Sequence, residues 1–267
     1  MTTFLEKIVA ETRERFSKRS AEIDISLLRG EAEACRIAHG SFRLAGALSV
    51  KDRVNIIAEI KRASPSKNVI DATVDAAERA STYEKNGAAA ISILTEQKYF
   101  KGSLDDIRDA RKNVSIPLLR KDFIIDAIQI YEAAIAGADA VLLIVAALAE
   151  AELRGLLGVA DSLGLDALVE VHGLEELKTA EGIGARMIGI NNRNLHTLNV
   201  DLATSFELAE HKPVNTLLVA ESGISSAGEI EGLRGAGFDG FLIGEALMTS
   251  GDPANKLAAL AAVGGTA

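Results

Sequence analysis

Eight short apolar runs alternate with helix-like stretches from residue 55 onward, and this alternation constrains the fold more than any other feature. The runs cover residues 55–61, 88–94, 116–122, 138–144, 166–172, 186–191, 216–222 and 239–245. Stretches between them, such as 73–87 and 126–138, have helical spacing, and several end in Gly just before the next run. Strand and helix repeated eight times predict an α/β fold, a (β/α)8 TIM barrel.

A doubly wound open sheet is the main alternative to a barrel. Such a sheet usually has fewer strands, and its dinucleotide-binding versions carry a Gly-rich loop after the first strand. No Gly-rich loop follows the run at 55–61. The length of 267 residues also suits a single barrel domain.

About fifty residues precede the first predicted strand. Apolar residues recur with helical spacing over 4–16 and predict an amphipathic helix, and 41–48 is a second short segment. This extension is too short for a separate domain. We therefore expect one domain over 1–267, with 1–50 as a helical extension packed on the barrel. Because its apolar stripe needs a partner, we expect it to cover part of the barrel mouth.

The formal net charge of −9 argues against nucleic acid and anionic membranes as partners, because both attract basic surfaces. An anionic small substrate therefore requires a local cluster of Lys and Arg. The longest apolar run, 140–149, is too short to span a bilayer, and the histidines have no metal-ligand spacing. The single cysteine, Cys35, and the lack of a signal peptide favour a cytoplasmic protein, either a monomer or a small homo-oligomer.

The first predicted strand ends in two charged residues, Glu59 and Lys61. Side chains alternate across a strand, so these two residues point to the same face. If that face is the barrel interior, burying the charges is costly unless they are paired or used in chemistry.

Polar residues also end other predicted strands, at the carboxyl ends where barrels of this type carry their chemistry. They are Lys121, Glu170, Asn191, Arg193, Glu221 and Ser222. A lone Glu or Lys is more often a solvated loop residue or part of a structural ion pair. Together with Glu59 and Lys61, however, five strands end in this way, and the set indicates a functional site.

Strand alternation predicts the orientation of two of these residues. Glu170 lies between two valines that suit the helix-facing side, so we expect Glu170 to point inward. Lys121 shares a face with Leu119, and Arg120 on the other face suits packing or an ion pair. Lys121 is therefore a candidate acid.

Small residues end the last two predicted strands, in ESGI (221–224) and IGEAL (243–247). Gly223 and Gly244 would let backbone N–H groups approach a ligand closely, and barrels often bind phosphate in these two loops. A helix N-terminus that follows can add to such a site. The alternative is that each glycine simply makes a tight turn.

These motifs together resemble those of the indole-3-glycerol phosphate synthase family. The similarity lies in IIAEIKRASPSK, ISILTEQKYFKGSL, PLLRKDFIID, ALVEVH, IGINNRNL, AESGI and IGEALM, in this order, within residues 41–250. A generic phosphate-binding barrel would match only the last two. The resemblance implies a carboxy-lyase (decarboxylase) of tryptophan biosynthesis. It would convert 1-(2-carboxyphenylamino)-1-deoxyribulose 5-phosphate, which carries a carboxylate and a phosphate, to indole-3-glycerol phosphate by ring closure, decarboxylation and dehydration.

The resemblance also implies catalytic roles. Lys121 would be the general acid for ring closure, and Glu170 would act as acid or base in dehydration. Glu59 and Lys61 would be paired helpers, with Lys61 also able to serve as an acid. No step would require a cofactor or a metal.

Substrate-binding roles follow from the same resemblance. Asn191 and Arg193 would hold carboxylate and hydroxyl groups of the substrate, and Glu221 of the AESGI motif would also bind the substrate. The phosphate site would contain Ser64, Ser222, Gly223, Gly244 and the backbone N–H of Glu245. One departure is visible at Asn68, where the family usually has Gly. This difference bears on the conformation of the first loop. Asn tolerates left-handed backbone angles better than most residues do.

Two other functions compete with this interpretation. An aldolase-like barrel would use Lys121 as a Schiff-base nucleophile, which requires a lowered pKa, whereas Glu59 and Glu170 nearby would raise it. A barrel that only binds a phosphate ligand would have no need of Glu170.

Overall fold

Eight parallel strands close into a barrel in the computed structural model, which describes residues 3–20, 22–37, 39–64, 68–195 and 197–263. The strands are β1 Ile56–Ile60, β2 Ala90–Leu94, β3 Leu118–Lys121, β4 Ala140–Ile144, β5 Asp166–Val171, β6 Met187–Asn191, β7 Leu217–Glu221 and β8 Gly240–Ile243. Each strand pairs with its neighbours in the chain, and β8 pairs with β1 to complete the barrel. Each predicted run contains one strand, so the predicted (β/α)8 barrel is confirmed.

Helices precede the barrel and connect its strands. They are α1 Phe4–Ser20, α2 Ile25–Ile37, α3 Arg43–Leu48, α4 Ala76–Lys85, α5 Leu104–Asn113, α6 Ala127–Ala136, α7 Glu150–Ser162, α8 Leu174–Gly182, α9 Ala203–Ala209, α10 Ala227–Gly235, α11 Glu245–Met248 and α12 Pro253–Ala261. Side chains of Asp75, Ser103 and Asp126 cap the first turns of α4, α5 and α6. None of the helices within the described ranges is long and apolar enough to cross a membrane.

The apolar core has two layers that follow from strand alternation. Outward residues of β1, such as Ile56 and Ala58, pack with the surrounding helices, whereas Ile57 packs with residues inside the barrel. The interior layer also contains Leu119, Leu142, Leu168, Met187, Val219 and Leu242. Glu59, Lys121, Glu170 and Glu221 each follow an interior residue by two positions, which places their side chains at the carboxyl end of the interior.

Helix α1 lies over the carboxyl ends of the strands. Its residues Leu5, Ile8 and Val9 are buried and belong to the interior cluster. Glu11 accepts hydrogen bonds from Lys98 Nζ at 2.9 Å and from the Tyr99 hydroxyl at 3.1 Å, both in the segment after β2. These contacts hold α1 against the barrel mouth.

Helix α2 packs along α6 on the outside of the barrel. Its buried Arg36 donates hydrogen bonds to the carbonyl oxygens of Ala138 at 3.1 Å and Leu163 at 3.2 Å. The sequence pattern did not predict this helix. Its apolar residues differ in burial: Leu28 packs on the core beside the buried Ala32, whereas Ile25 and Leu27 are exposed.

Helix α3 closes the amino end of the barrel. The backbone N–H groups of Leu44 and Ala45 donate to Asp166 Oδ2, at the start of β5, at 2.8 and 3.0 Å. Leu48 packs over Gly240 at the start of β8, where an added Cβ would lie 3.2 Å from the leucine methyl groups. The helices before β1 therefore contact the barrel at both of its ends.

Candidate active site

A cavity of about 480 Å³ opens at the carboxyl ends of the strands. Its lining includes all twelve residues that the sequence analysis proposed for a site: Glu59, Lys61, Ser64, Lys121, Glu170, Asn191, Arg193, Glu221, Ser222, Gly223, Gly244 and Glu245. These residues come from six strand ends and the loops that follow them, so barrel closure brings them together. The lining contains three cationic side chains, those of Lys61, Lys121 and Arg193, although the protein as a whole is acidic. An anionic substrate requires such a local cluster of positive charge.

Lys121 lies between two buried carboxylates. Its Nζ donates to Glu221 Oε2 at 2.7 Å and to Glu170 Oε2 at 3.0 Å. The exposed fraction is 11% for the Lys121 side chain, 4% for Glu170 and 1% for Glu221. Because charges this deeply buried are costly unless paired, the three side chains form one unit.

The pKa values of the three side chains are shifted in different directions. Burial alone would lower the pKa of Lys121, but Glu170, Glu221 and Glu59 raise it above its ordinary value, so the amine stays protonated. Burial would raise the pKa of Glu170, but Lys121 and His172 hold it well below its usual range. Glu221 behaves in the opposite way, since burial, helped by the Glu170 carboxylate, raises its pKa to about 7 despite Lys121.

Glu59 and Lys61 form a separate ion pair in the cavity. Lys61 Nζ lies 2.8 Å from Glu59 Oε1, and the exposed fractions of the two side chains are 14% and 7%. Both side chains line the cavity, as the alternation in β1 predicted. The pair therefore lies at the site and not on the helix-facing side of the strand.

Two glycines make room for carboxylates. A Cβ at Gly244 would lie 2.3 Å from Glu59 Oε1, and a Cβ at Gly189 in β6 would lie 2.0 Å from Glu221 Oε1. Real side chains do not approach this closely, so any larger residue would displace the carboxylate. A glycine is therefore needed at position 244 to make room for Glu59, and not only to form a tight turn. The sequence pattern did not identify Gly189 as a residue of the site.

Asn191 and Arg193 lie side by side at the end of β6. Asn191 Oδ1 accepts a hydrogen bond from the Arg193 backbone N–H at 3.0 Å. The Arg193 guanidinium donates to the carbonyl oxygen of Leu198 at 3.0 Å and lies 3.7 Å from Glu245 Oε2. These contacts orient a partly exposed guanidinium at the rim of the cavity.

The residues that follow β7 and β8 line the cavity. Ser222 and Gly223 are both left-handed, with φ of 66° and 86°. Helix α11 begins at Glu245 directly after Gly244, and the N–H groups of a first turn have no partners within their own helix.

An apolar wall faces the charged residues. Phe4 and Leu5 of α1 contribute to it, together with Phe100, Phe123 and Leu195. The rings of Phe100 and Phe123 lie 6.1 Å apart, and Phe4 packs edge-on against Tyr99 with ring centroids 5.1 Å apart. The motifs used in the sequence analysis contain Phe100, Phe123 and Leu195, but no local pattern showed that they share a surface.

The first loop is only partly described. Ala63–Ser64 pairs with Asn68–Val69 in a short antiparallel ladder, and residues 65–67 lie outside the described ranges. Asn68 thus occupies a paired position opposite Ser64. In the parts of the chain that the structure describes, no three His, Cys, Asp or Glu side chains are arranged to hold a metal ion.

Comparisons with known proteins agree with the motifs. The sequence model of the family described as indole-3-glycerol phosphate synthase matches residues 5–260. An indole-3-glycerol phosphate synthase from Carboxydothermus hydrogenoformans is 47% identical over 264 residues, covering 97% of this chain and all of that protein. Another, from Mycolicibacterium gilvum, is 45% identical over 262 residues, covering 98% of this chain and 95% of the other.

The chain belongs to the indole-3-glycerol phosphate synthase family.

As an indole-3-glycerol phosphate synthase, the protein is a carboxy-lyase of tryptophan biosynthesis that acts on a small phosphate-bearing substrate. It forms indole-3-glycerol phosphate by ring closure, decarboxylation and dehydration, as the resemblance implied. The aldolase-like and purely binding alternatives are thereby set aside. In this synthase, the charged unit around Lys121 lies where the chemistry of the fold is expected.

Solved structures with distant sequences share the fold of the synthase. The 3-hexulose-6-phosphate synthase from Salmonella typhimurium superimposes with a TM-score of 0.64 at 14% identity, over 79% of this chain and 98% of that chain. The thiamine phosphate pyrophosphorylase from Pyrococcus furiosus gives a TM-score of 0.58 at 18% identity, over 78% and 94%. At these identities, the similarity shows the barrel fold alone.

Proposed function

We propose that Lys121 is the general acid that protonates the substrate ketone during ring closure. The observation that carries this proposal is the position of Lys121 Nζ, buried in the cavity within 3.0 Å of both Glu170 and Glu221. The carboxylates favour the protonated amine, which is the form that an acid needs. They disfavour the neutral amine that would form a Schiff base.

Glu170 is proposed to act in the dehydration step. Its lowered pKa keeps it a carboxylate near neutral pH, which is the protonation state that a base needs. Lys61, paired with Glu59 at 2.8 Å, is the second cation within the same cavity and is available as an acid for the leaving hydroxyl. Glu221 binds Lys121 directly and helps to hold the ammonium in place.

The remaining residues are proposed to bind the two anionic groups of the substrate. Arg193 and Asn191, at the end of β6, would hold the carboxylate and a hydroxyl group. The phosphate would lie at the ends of β7 and β8, against Ser222, Gly223, Gly244 and the backbone N–H of Glu245, with Ser64 from the first loop. All of these residues line the same cavity, which supports this placement.

The chain is proposed to act as one domain over 1–267, in which the extension 1–50 completes the cavity. The burial of α1 and α3 residues in the barrel interior cluster supports this organisation. A cytoplasmic location stays a prediction from the sequence.

The proposed function is tested by following the fluorescence of the indole product with purified protein. We expect turnover of the substrate in the presence of a metal chelator and without any added cofactor. Borohydride added during turnover should leave Lys121 unmodified, as shown by mass spectrometry of the protein. A stable adduct on Lys121 would instead support Schiff-base chemistry, and loss of activity with the chelator would contradict a metal-free reaction.

Replacing both Phe4 and Leu5 by Ala should raise KM by about tenfold and change kcat by less than about threefold. These side chains form part of the apolar wall, and burying one large apolar side chain stabilises by about 1.5–3 kcal/mol, or roughly a factor of ten or more. Leu27→Ala is a matched control, because Leu27 on α2 is 67% exposed. A folded double variant with wild-type KM would show that α1 contributes nothing to substrate binding.

A further inference from the structure

His172 directly follows the last residue of β5 and has no role in the mechanism proposed above. Its side chain is 11% exposed and lies between two carboxylates. The ring Nε2 is 3.4 Å from Glu170 Oε1, and Nδ1 is 3.2 Å from Glu176 Oε2. The backbone N–H of His172 also donates to Glu176 Oε2 at 2.8 Å, so Glu176 holds this residue at two points.

The two oxygens of Glu170 face different partners. Oε2 accepts the hydrogen bond from Lys121, whereas Oε1 faces the imidazole. His172 Nε2 is buried and has no aligned hydrogen bond to any described residue. A buried donor without an aligned bond is costly, and this one is directed at the carboxylate proposed as the base.

The charges around the ring favour the imidazolium form. Burial alone would lower the pKa of His172, but Glu170 and Glu176 raise it to about 10. The Glu170 carboxylate is thus flanked by His172 at the end of its own strand, by Lys121 from β3 and by Glu221 from β7. Glu59 from β1 acts on the same cluster through Lys121, and Glu176 lies on α8.

We infer that His172 is a positioning residue for Glu170: its ring, anchored by Glu176 on α8, directs Oε1 of Glu170 and keeps that carboxylate ionised for dehydration. The described residues that line the cavity do not include His172 or Glu176, so the effect reaches the substrate through Glu170. The inference rests on the role proposed for Glu170.

His172→Ala should lower kcat by about 10–100-fold, the range expected when a buried carboxylate loses a charged partner, and leave KM within about twofold. It should also move the acidic limb of the kcat profile to higher pH. The sign follows from the charge: without the cation, the pKa of Glu170 rises, so the carboxylate is lost at a higher pH. A side chain that only fills space would not move this limb.

His172→Gln separates geometry from charge, because its amide can take the place of Nε2–H without a positive charge. We expect kcat at high pH to recover to within a few fold of wild type, while the acidic limb stays displaced. His211→Ala is the matched control, since His211 is exposed and lies outside the cavity lining. In ¹⁵N NMR spectra, the ring of His172 should stay doubly protonated at pH 8 in the wild-type protein.

The double variant of Glu170→Gln and His172→Ala should be little slower than Glu170→Gln alone, because His172 acts only through Glu170. If Glu170→Gln keeps wild-type turnover, the proposed role of Glu170 fails. If Glu170→Gln is impaired but the acidic limbs of both His172 variants coincide with that of the wild type, the inference about His172 is wrong. If His172→Ala does not fold, the His172→Gln variant alone tests the inference: a displaced acidic limb supports it, and an unchanged limb contradicts it.

Discussion

Lys121→Met should lower turnover by at least about 10²–10⁴-fold, the usual contribution of a positioned acid or base. Met has a similar length and no proton to give, so the ketone oxygen would lack its donor at the first step. Quenched single-turnover reactions should therefore contain unreacted substrate and no ring-closed intermediate.

The same substitution should also affect stability in a pH-dependent way. Glu170 and Glu221 would lose the cation they share, and the removal of one partner from a buried pair typically costs about 3–5 kcal/mol. Without that cation, the pKa of Glu221, already about 7, would rise further. A raised carboxyl pKa contributes stability at low pH that is lost as pH rises through it, so the variant should unfold more easily at pH 9 than at pH 6.

The control for this variant is Lys178→Met on α8, whose side chain is 58% exposed and pairs with Glu175. It should have wild-type turnover and stability. Circular dichroism at the assay pH should establish that Lys121→Met is folded before its rate is interpreted. A folded Lys121→Met protein that accumulates a ring-closed intermediate would show that another group supplies the first proton.

Glu170→Gln should lower kcat by about 10²–10⁴-fold and leave KM nearly unchanged. Gln keeps the shape and can still accept the hydrogen bond from Lys121, so binding and ring closure have the groups they need. The proton transfer in dehydration is lost, because an amide does not titrate. A ring-closed, decarboxylated intermediate should accumulate, in contrast to Lys121→Met.

The same single-turnover analysis measures this difference, with Glu175→Gln as the control because the Glu175 side chain is 85% exposed. If Glu170→Gln turns over at nearly the wild-type rate, Glu170 is only a structural partner of Lys121. If it instead stops before ring closure, its carboxylate acts earlier in the reaction than proposed.

The inward direction of Glu170 and Lys121 could be predicted because it depends on a local rule. Side chains alternate every residue along a strand, so the faces of β3 and β5 follow from the residues on either side. The buried Val169 and Val171 do pack with the helices, and Arg120 forms a buried ion pair with Asp122, as its opposite face predicted. The number and order of the strands followed from the same kind of local pattern.

The pairing within the site could not be predicted in this way. Lys121 and Glu221 are separated by 100 residues, and their contact depends on the register in which β3 and β7 close the barrel. The same holds for Gly189, since nothing in its own strand shows that a carboxylate from β7 fills the space beside it. Helix α2 was missed for a different reason, because two of its apolar residues, Ile25 and Leu27, are exposed and a buried Arg36 is among the residues that hold it.

The helices before β1 contact parts of the barrel that the ribosome synthesises much later. Leu44 binds Asp166, which a ribosome would add 122 residues later, and Leu48 packs against Gly240, later still. The barrel itself cannot close until β8 exists to pair with β1. During that interval, the apolar faces of α1 and α3 have no surface to cover, and forming contacts this distant in sequence is slow. The first part of the chain to be made should therefore be the last to dock on the closed barrel.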